Sequence, residues 1–272
     1  MIILGFGFKV SMFPFHAWTP DVYQGAATPL TTFMATAVKV ASFLPFIRLM
    51  NSPGFSHSPA LLDIMTWMAV LTMLVGNVGA IVQSNVKRML AYSSIAHSGY
   101  ILIGLISAGF GAHYLEASAD VLFYLITYGF MTVGSFALLS VFERYENTSI
   151  GFDDLRGLPK KHPWLAASFA VLLLSLAGIP PTLGFFAKFK IFSHAIDQEY
   201  YWLAFWGAIN SVISVYFYLR PIVVMYMSDG ELELEKVGRS SSAALVAAMA
   251  IVVGVLGIFS NQLTHWVSLV IG

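Results

Sequence analysis

Hydrophobic residues fill the chain in runs of about 20, and polar residues gather in the connections between them. A helix needs about 20 apolar residues to cross roughly 30 Å of hydrocarbon. The pattern therefore predicts an all-α, polytopic bundle of about eight transmembrane helices. The predicted spans, with ends accurate to about four residues, are 2–18, 28–47, 61–82, 89–108, 119–142, 164–193, 201–227 and 243–270. Because most connections are short, we expect a single transmembrane domain over residues 1–272.

Composition agrees with a lipid environment. Hydrophobic residues make up 58% of the 272 residues and charged residues only 10%, with a mean hydropathy of +0.77. This is more apolar surface than one soluble core can bury, so we expect the bilayer to cover the rest. The net charge of +0 gives no bias towards nucleic acid, which we do not expect as a partner. Cysteine is absent, which excludes thiolate-bound clusters and disulfides.

Two lysines, Lys9 and Lys39, lie near the middle of apolar runs. A charged side chain at this depth costs roughly 3 kcal/mol, and such residues usually line an ion route. The helical rise puts both about 14–17 Å from the same surface, so they could share one aqueous network. The alternative is a snorkelling lysine, which midplane depth disfavours. The sequence thus predicts a proton or ion conductor.

Prolines interrupt two of the predicted spans. The first span contains Pro14 and Pro20, and the sixth contains Pro180 and Pro181. Proline removes a backbone donor, and unwound backbone is tolerated at membrane depth only inside protein or beside water. The sixth run is also too long for one straight span. We therefore predict discontinuous helices, with a simple kink as the alternative.

Three further residues are candidates for a proton path. Lys188 follows the second interruption closely and is the better path residue, whereas Lys190 points the opposite way on the helix and is expected to snorkel. His97 lies about 12 Å into the fourth span. It is either a proton relay or a neutral buried histidine bonded to a neighbouring helix. His16, near the end of the first span, is either a proton entry point or an interface residue.

Cations cluster on one side of the predicted bundle. If the spans alternate direction, the loops of that side contain Lys87, Arg88, Arg144, Arg156, Lys160, Lys161, Lys236 and Arg239. The positive-inside rule assigns this side to the cytoplasm, so we expect the C-terminus on the outer side. The remaining histidines, His57, His113, His162, His194 and His265, fit no metal-binding spacing. We assign no metal and expect no soluble-type catalysis.

Three segments carry a resemblance to a known family. They read FPFHAWTPDVYQGA at 13–26, VKRMLAYSSIAHSGY at 86–100 and AGIPPTLGFFAKF at 177–189. Together they resemble the antiporter-like membrane subunits of respiratory complex I (NADH-quinone oxidoreductase) and their relatives. Three features resemble the N subunit in particular. They are the sequence PDVYQG, a lysine rather than a histidine at position 39, and the absence of a long lateral helix.

The resemblance implies a proton channel of two inverted repeats, each with a broken helix. Residues 1–49 would end the first repeat, 61–227 would form the second, and 243–270 would be the final helix, with upstream helices missing. The proton path would comprise Lys9 of the first broken helix, Lys39 as the connecting lysine, His97, and Lys188 as the terminal lysine. The glutamate that pairs with the first lysine would lie upstream.

The same resemblance implies that NADH, FMN, Fe-S clusters and quinone bind to partner subunits and that this chain has no cofactor. M-type and K-type subunits would be its neighbours, in a bacterial inner membrane. A subunit of a multisubunit Na+/H+ antiporter, or of a ferredoxin- or deazaflavin-linked relative, would have the same fold and lysines. A purely structural scaffold is the third possibility, although it gains nothing from buried charge.

Overall fold

The computed structural model describes residues 1–50, 59–108, 114–143, 150–230 and 240–271. The first helices are α1 (Ile2–Lys9), α2 (Trp18–Gly25), α3 (Thr28–Phe33) and α4 (Lys39–Met50), with a π-helical turn (Met34–Val38) joining α3 to α4. Next come α5 (Pro59–Ile81), α6 (Val86–Ser107), α7 (Tyr114–Phe142), a 3-10 turn (Asp153–Leu155) and the short α8 (Leu158–Lys161). The remaining helices are α9 (Pro163–Ala177), α10 (Leu183–Asp197), α11 (Tyr201–Met227), α12 (Ser240–Ile258) and α13 (Ser260–Ile271).

The chain is an all-α polytopic membrane bundle, as the sequence predicts. In the described part, six helical segments are long and apolar enough to cross a membrane, and the shorter α9 is also apolar. The six are Thr28–Met50, Ala60–Ile81, Val86–Ser107, Glu116–Phe142, Tyr201–Met227 and Ser241–Ile258. The predicted first span contains α1 and the break that follows it, with α2 beginning at its last residue. The predicted sixth span is divided into α9 and α10, and the predicted eighth is divided at Phe259.

Helix α6 forms the centre of the bundle. Of its 22 residues only Arg88 and Tyr92 are not buried, and it packs against α5, α7, α10, α11 and α2. Its contact with α5 is close because glycine replaces a side chain at the crossing. A Cβ on Gly76 would lie 2.4 Å from the backbone nitrogen of Ala96. Such small residues let membrane helices approach closely, so side chains of α5 reach the polar interior beside α6.

The first helix break lies between α1 and α2. Its unwound backbone is satisfied by neighbouring helices, since Phe13 N donates to Thr72 Oγ1 at 2.9 Å and Ser98 Oγ donates to the Val10 carbonyl at 2.6 Å. Ser11, with a positive φ of 62°, is hydrogen-bonded through Oγ to Thr19 at 2.6 Å. The break thus meets the requirement that non-helical backbone at membrane depth be buried in protein.

The second break lies between α9 and α10. Helix α9 ends at Gly178, whose positive φ of 84° suits a residue without a side chain. Helix α10 begins beside α9, because Gly184 N donates to Ser175 Oγ at 3.0 Å. The sixth run is therefore a discontinuous helix, as predicted, and the simple kink is wrong.

One end of the bundle gathers the loops that contain most predicted cations. Val86 N donates to the Ile150 carbonyl at 2.9 Å, and Asn85 forms an isolated bridge with Gly151. Two loops that were predicted to lie on the same side of the membrane therefore contact each other. Arg156 lies in this region, whereas the predicted loop positions Arg144, Lys236 and Arg239 lie outside the described residues.

Lys87 was predicted in a loop, and the structure corrects this. It lies in the first turn of α6 and is buried, with Nζ 3.2 Å from Glu143 Oε1 and 2.6 Å from the Ala26 carbonyl. The other oxygen of this carboxylate, Oε2, accepts from Thr28 N at 3.4 Å. One buried ion pair thus ties α6 and the end of α7 to the connection between α2 and α3.

Candidate proton-transfer site

Lys39 is fully enclosed at the start of α4, with 1% of its surface exposed. The π-helical turn directly before it adds a residue per turn, a feature frequent at functional sites. Its ammonium donates to the Ser94 carbonyl of α6 and lies 5.1 Å from the centre of the Tyr128 ring of α7. Tyr128 in turn donates to Ser94 Oγ at 3.0 Å, so the lysine and the tyrosine meet at one residue of α6.

Two threonines, Thr32 and Thr36, precede Lys39 on the same helical segment. The hydroxyls of Thr32 and Thr36 donate to carbonyls of their own helix, at Thr28 and Thr32 respectively. These threonines are half-buried. Their hydroxyl hydrogens are therefore used within the helix rather than offered to Lys39.

His97 lies at the centre of α6 and is buried. Its Nδ1 is 2.7 Å from the Tyr124 hydroxyl of α7, and its Nε2 is 3.0 Å from the Tyr218 hydroxyl of α11. The Tyr218 hydroxyl is also hydrogen-bonded to Ser93. Both ring nitrogens thus have a hydroxyl partner on a different helix.

Lys188 lies in α10, just past the second break, and is 4% exposed. Its ammonium donates to the Ala177 carbonyl at 2.9 Å, to Ser211 Oγ at 3.1 Å and to Ser214 Oγ at 3.5 Å. A cation beside the last carbonyls of α9 is favourable because the helix dipole is negative there. The broken helix therefore provides both the space and the polar partners for this buried charge.

Aromatic rings link the three groups into one continuous set. The ring centre of Tyr128 is 4.9 Å from that of His97, which is 5.7 Å from that of Tyr100. The ammonium of Lys188 lies 4.8 Å from the centre of the Tyr100 ring. The ammonium of Lys39 lies over the Tyr128 ring in the same way, at 5.1 Å. We call Lys39, Tyr128, His97, Tyr100 and Lys188 the central axis.

The central axis consists of basic and aromatic side chains. Within the described residues, no carboxylate forms an ion pair with Lys39, His97 or Lys188. Cation–π contacts contribute up to about 2 kcal/mol when desolvated, which is less than the cost of burying a full charge. Hydroxyl and imidazole groups can both donate and accept hydrogen bonds.

Lys9 ends α1 and has an exposed side chain. Among the described residues, none of the recorded contacts joins it to the central axis. His16, half-buried in the first break, stacks on Phe13 at 5.7 Å between ring centres. The structure thus brings together three of the four predicted path residues.

Lys190 points away from Lys188, as the sequence predicts, but it has a carboxylate partner. Its Nζ is 3.4 Å from Asp120 Oδ1 of α7 and 5.6 Å from the centre of the Phe123 ring. Snorkelling of Lys190 stays a prediction, and the ion pair with Asp120 was not predicted. Asp120 and Lys190 are 19% and 25% exposed at their side chains, so the pair lies at the edge of the bundle rather than in the axis.

Several functional groups escaped the sequence analysis. The tyrosines Tyr124, Tyr128 and Tyr218 gave no signal, because a tyrosine in an apolar helix is usual at any position. Arg220, inside the seventh span, was also passed over. It donates to the Gln83 carbonyl at 2.9 Å and lies 4.4 Å from the centre of the Phe152 ring.

Comparisons with known proteins identify the family of the chain. The family model of the NADH:quinone oxidoreductase/Mrp antiporter transmembrane region matches residues 1–214. Subunit N of NADH-quinone oxidoreductase from Bdellovibrio bacteriovorus is 54% identical over 264 residues, which are 96% of this chain and 54% of that protein. The chain spans about half the length of the curated relatives it matches.

Solved structures share the fold. A chain of respiratory complex I from Thermus thermophilus, with bound aureothin, superposes with a TM-score of 0.83 at 34% identity, over 97% of this chain and 57% of that chain. A chain of the Mrp complex from a Dietzia species gives a TM-score of 0.85 at 20% identity, over 98% and 57% respectively, and shows the fold alone. The predicted resemblance to the N subunit is confirmed by the relatives that match. The chain belongs to the NADH:quinone oxidoreductase/Mrp antiporter transmembrane family, and its similarity within that family is to subunit N.

Proposed function

We propose that the chain is the proton-translocating part of a membrane subunit of an NADH:quinone oxidoreductase. The observation that carries the proposal is the central axis, in which two buried lysines lie on two tyrosine rings that both pack on one buried histidine. Three titratable groups enclosed in one membrane protein are costly. A continuous path for protons through the bundle explains why they lie together.

Protons would move along the axis by transfer between neighbouring groups. Lys39 would pass its proton through the hydroxyls around Ser94 and Tyr128 to His97, whose two nitrogens each have a hydroxyl partner. From His97, whose hydrogen-bond partners are Tyr124 and Tyr218, the proton would reach Lys188 on the other side of the Tyr100 ring through bridging water. No bond other than O–H and N–H forms or breaks, so the chain needs no redox centre of its own. Lys9 would belong to the same path on the first broken helix.

Energy for this movement would come from quinone reduction in partner subunits. NADH, FMN, Fe-S clusters and quinone would bind there, and the nearest membrane neighbours would be M-type and K-type subunits. A proton held on one lysine disfavours a second charge close by. A change in protonation at one end of the axis would therefore change the proton affinity of the next lysine. The coupling would pass in this way from group to group along the plane of the membrane.

The repeats and the membrane orientation complete the proposal. Residues 1–49 would end one inverted repeat, residues 61–227 would form the next, and 243–270 would supply the final helix. Relatives from bacteria favour a bacterial inner membrane. Cations at the end of the bundle where residues 84–86 meet 150–152 favour the cytoplasm for that side, with the C-terminus on the outer side.

The test is NADH-driven proton uptake by inverted membrane vesicles, with variants introduced into the full-length gene. Lys39→Ala removes the connecting lysine, and His97→Phe keeps the ring and its packing but removes both nitrogens. Both variants should assemble and should lower proton uptake together with electron transfer. Normal proton uptake in vesicles with assembled Lys39→Ala and His97→Phe variants would refute proton transfer through the central axis.

The native vesicles distinguish the proposed complex from its relatives. NADH should drive proton uptake in them without any change to the chain. If NADH drives none, the chain belongs to a cation antiporter or to a complex with another electron donor. The similarity to subunit N favours the first outcome.

A further inference from the structure

The hydroxyl of Tyr218 joins His97 to a second buried hydroxyl outside the central axis. Its oxygen is 3.0 Å from His97 Nε2 and is also hydrogen-bonded to Ser93 Oγ, one turn earlier on α6. His97, Tyr218 and Ser93 are 1%, 1% and 2% exposed. The path proposed between Lys39 and Lys188 does not include Ser93, so this chain of hydrogen bonds leads away from the axis.

On α6 the chain leads towards one end of the bundle. That end is the one where residues 84–86 meet 150–152, and we call it the cation-rich end. Helix α6 begins there. Ser93 lies four residues closer to the cation-rich end than His97 does, which is about 6 Å at the helical rise.

Tyr218 approaches the same end from a second helix. Arg220, two residues later in α11, donates to the Gln83 carbonyl at 2.9 Å, and Gln83 directly precedes the cation-rich end. Helix α11 therefore runs towards this end as it passes α6. Together with the bond to Ser93, this places the Tyr218 hydroxyl on the cation-rich side of His97.

The hydrogen bonds of the chain can all have the same direction. A hydroxyl can donate one hydrogen bond while it accepts another, so Tyr218 can accept from Ser93 and donate to His97. The other ring nitrogen, Nδ1, lies 2.7 Å from the Tyr124 hydroxyl. With its hydrogen on Nδ1, His97 donates to Tyr124, and Nε2 is left to accept from Tyr218.

We propose that Ser93 and Tyr218 form a loading branch, through which protons from the cation-rich end reach His97. A proton from water binds to Ser93 Oγ, the Ser93 hydrogen moves to the Tyr218 oxygen, and the Tyr218 hydrogen moves to His97 Nε2. Each hydroxyl gains one hydrogen and loses one, so both end neutral and His97 carries the charge. The inference rests on the proposed function, since it supplies protons to the histidine of the central axis.

The experiment measures the rate of NADH-driven proton uptake by inverted vesicles with full-length variants, at matched amounts of assembled subunit. Tyr218→Phe keeps the ring and removes its hydroxyl, and Ser93→Ala removes the hydroxyl behind it. We expect each to lower the rate by about tenfold, less than the roughly hundredfold that a positioned proton donor contributes, because water can fill part of the gap.

Ser135→Ala is the matched control for the loss of a buried hydroxyl. Ser135 is 0% exposed, and its hydroxyl donates within its own helix, to the Met131 carbonyl at 2.8 Å. It should retain native uptake. Native uptake in both Tyr218→Phe and Ser93→Ala would overturn the proposal, and where Tyr218→Phe fails to assemble, Ser93→Ala alone decides.

A solvent isotope effect separates proton loading from a purely structural role. With the loading branch interrupted, proton delivery limits the rate. Transfer to D2O should therefore slow Tyr218→Phe and Ser93→Ala more than it slows the native complex. If the hydroxyls only support packing, the rates fall but the isotope effect stays native, and that result would overturn the proposal.

Lys39→Ala in the same membranes separates this inference from the proposed function. Loss of uptake in Lys39→Ala with native uptake in Tyr218→Phe and Ser93→Ala would refute only the loading branch. Normal uptake in assembled Lys39→Ala and His97→Phe would refute the proton path itself and the loading branch with it.

Discussion

The ion pair between Lys87 and Glu143 gives a sharp prediction because the next residue of the same helix provides a matched control. The side chains of Lys87 and Glu143 are 6% and 7% exposed, with 3.2 Å between Nζ and Oε1. Arg88 pairs with Asp21 at 2.6 Å, but those side chains are 28% and 72% exposed. Both pairs tie the first turn of α6 to other parts of the bundle, so they differ mainly in burial.

The expected magnitudes follow from that difference. At 3.2 Å and an effective dielectric constant near 20, two charges attract by about 5 kcal/mol, before the cost of desolvation. Removing one partner of a buried pair costs about 3–5 kcal/mol because the other charge stays buried without its partner. An exposed pair contributes less than about 1 kcal/mol. We therefore expect Lys87→Met to be severely destabilising and Arg88→Met to be nearly neutral.

The assay is thermal denaturation of the detergent-solubilised complex, followed by the loss of this subunit from the assembled fraction. Lys87→Met should lower the midpoint on the order of 10 °C, and Arg88→Met by a degree or two at most. Removing both charges, with Lys87→Met and Glu143→Leu together, should restore most of the loss. Equal midpoints for Lys87→Met and Arg88→Met would refute the burial argument. A double variant as unstable as Lys87→Met would show that the lysine acts through the Ala26 carbonyl instead.

Two further predictions concern packing and helix ends. A Cβ on Gly184 would lie 1.9 Å from the Ser175 carbonyl oxygen, whereas nothing lies within 4 Å of one on Gly129. Gly184→Ala should therefore reduce the amount of assembled subunit in membranes, Gly129→Ala should not, and equal amounts would contradict the packing at the second break. Arg220→Leu removes a charged donor to the Gln83 carbonyl, and should cost about 1.5–3 kcal/mol. Limited proteolysis should then cut the connection after α5 faster, and an unchanged rate would contradict this role.

The sequence predicted the fold and its two interruptions for reasons that are local. Apolar length alone identifies a membrane span, and the two consecutive prolines shortly after Gly178 disfavour a continuous helix. The break around Pro180 therefore needed no tertiary information. The division at Phe259 was missed because the segment contains no proline, although Ser260, Asn261 and Gln262 directly after it are polar.

The lysines of the site were predictable, but their partners were not. Lys39 was selected for its midplane position and Lys188 for its place just after the second interruption. Lys9 was selected by the same argument as Lys39 but lies outside the central axis. Tyr128 and Tyr218 became part of the site only because α7 and α11 turn those faces towards α6, and the packing of helices decides that orientation. Periodicity in one helix contains no information about the face of another.

The burial of Lys87 at the start of α6 was the other feature that the sequence did not predict. Lys87 follows Asn85, which caps α6 through its side-chain oxygen at 2.8 Å from Arg88 N, and a cation next to a cap normally faces solvent. The connection between α2 and α3 covers this helix end in the bundle. Only the tertiary structure shows that Glu143 compensates the charge.

The most direct test of the proton path compares two lysines of one helix. Lys188→Arg keeps a permanent positive charge over the Tyr100 ring, but a guanidinium does not release its proton. Lys190→Arg, two residues later, changes a lysine that pairs with Asp120 at the edge of the bundle. We expect inverted vesicles with Lys188→Arg to lose NADH-driven proton uptake and those with Lys190→Arg to retain it. Native uptake in assembled Lys188→Arg vesicles would contradict proton transfer through Lys188.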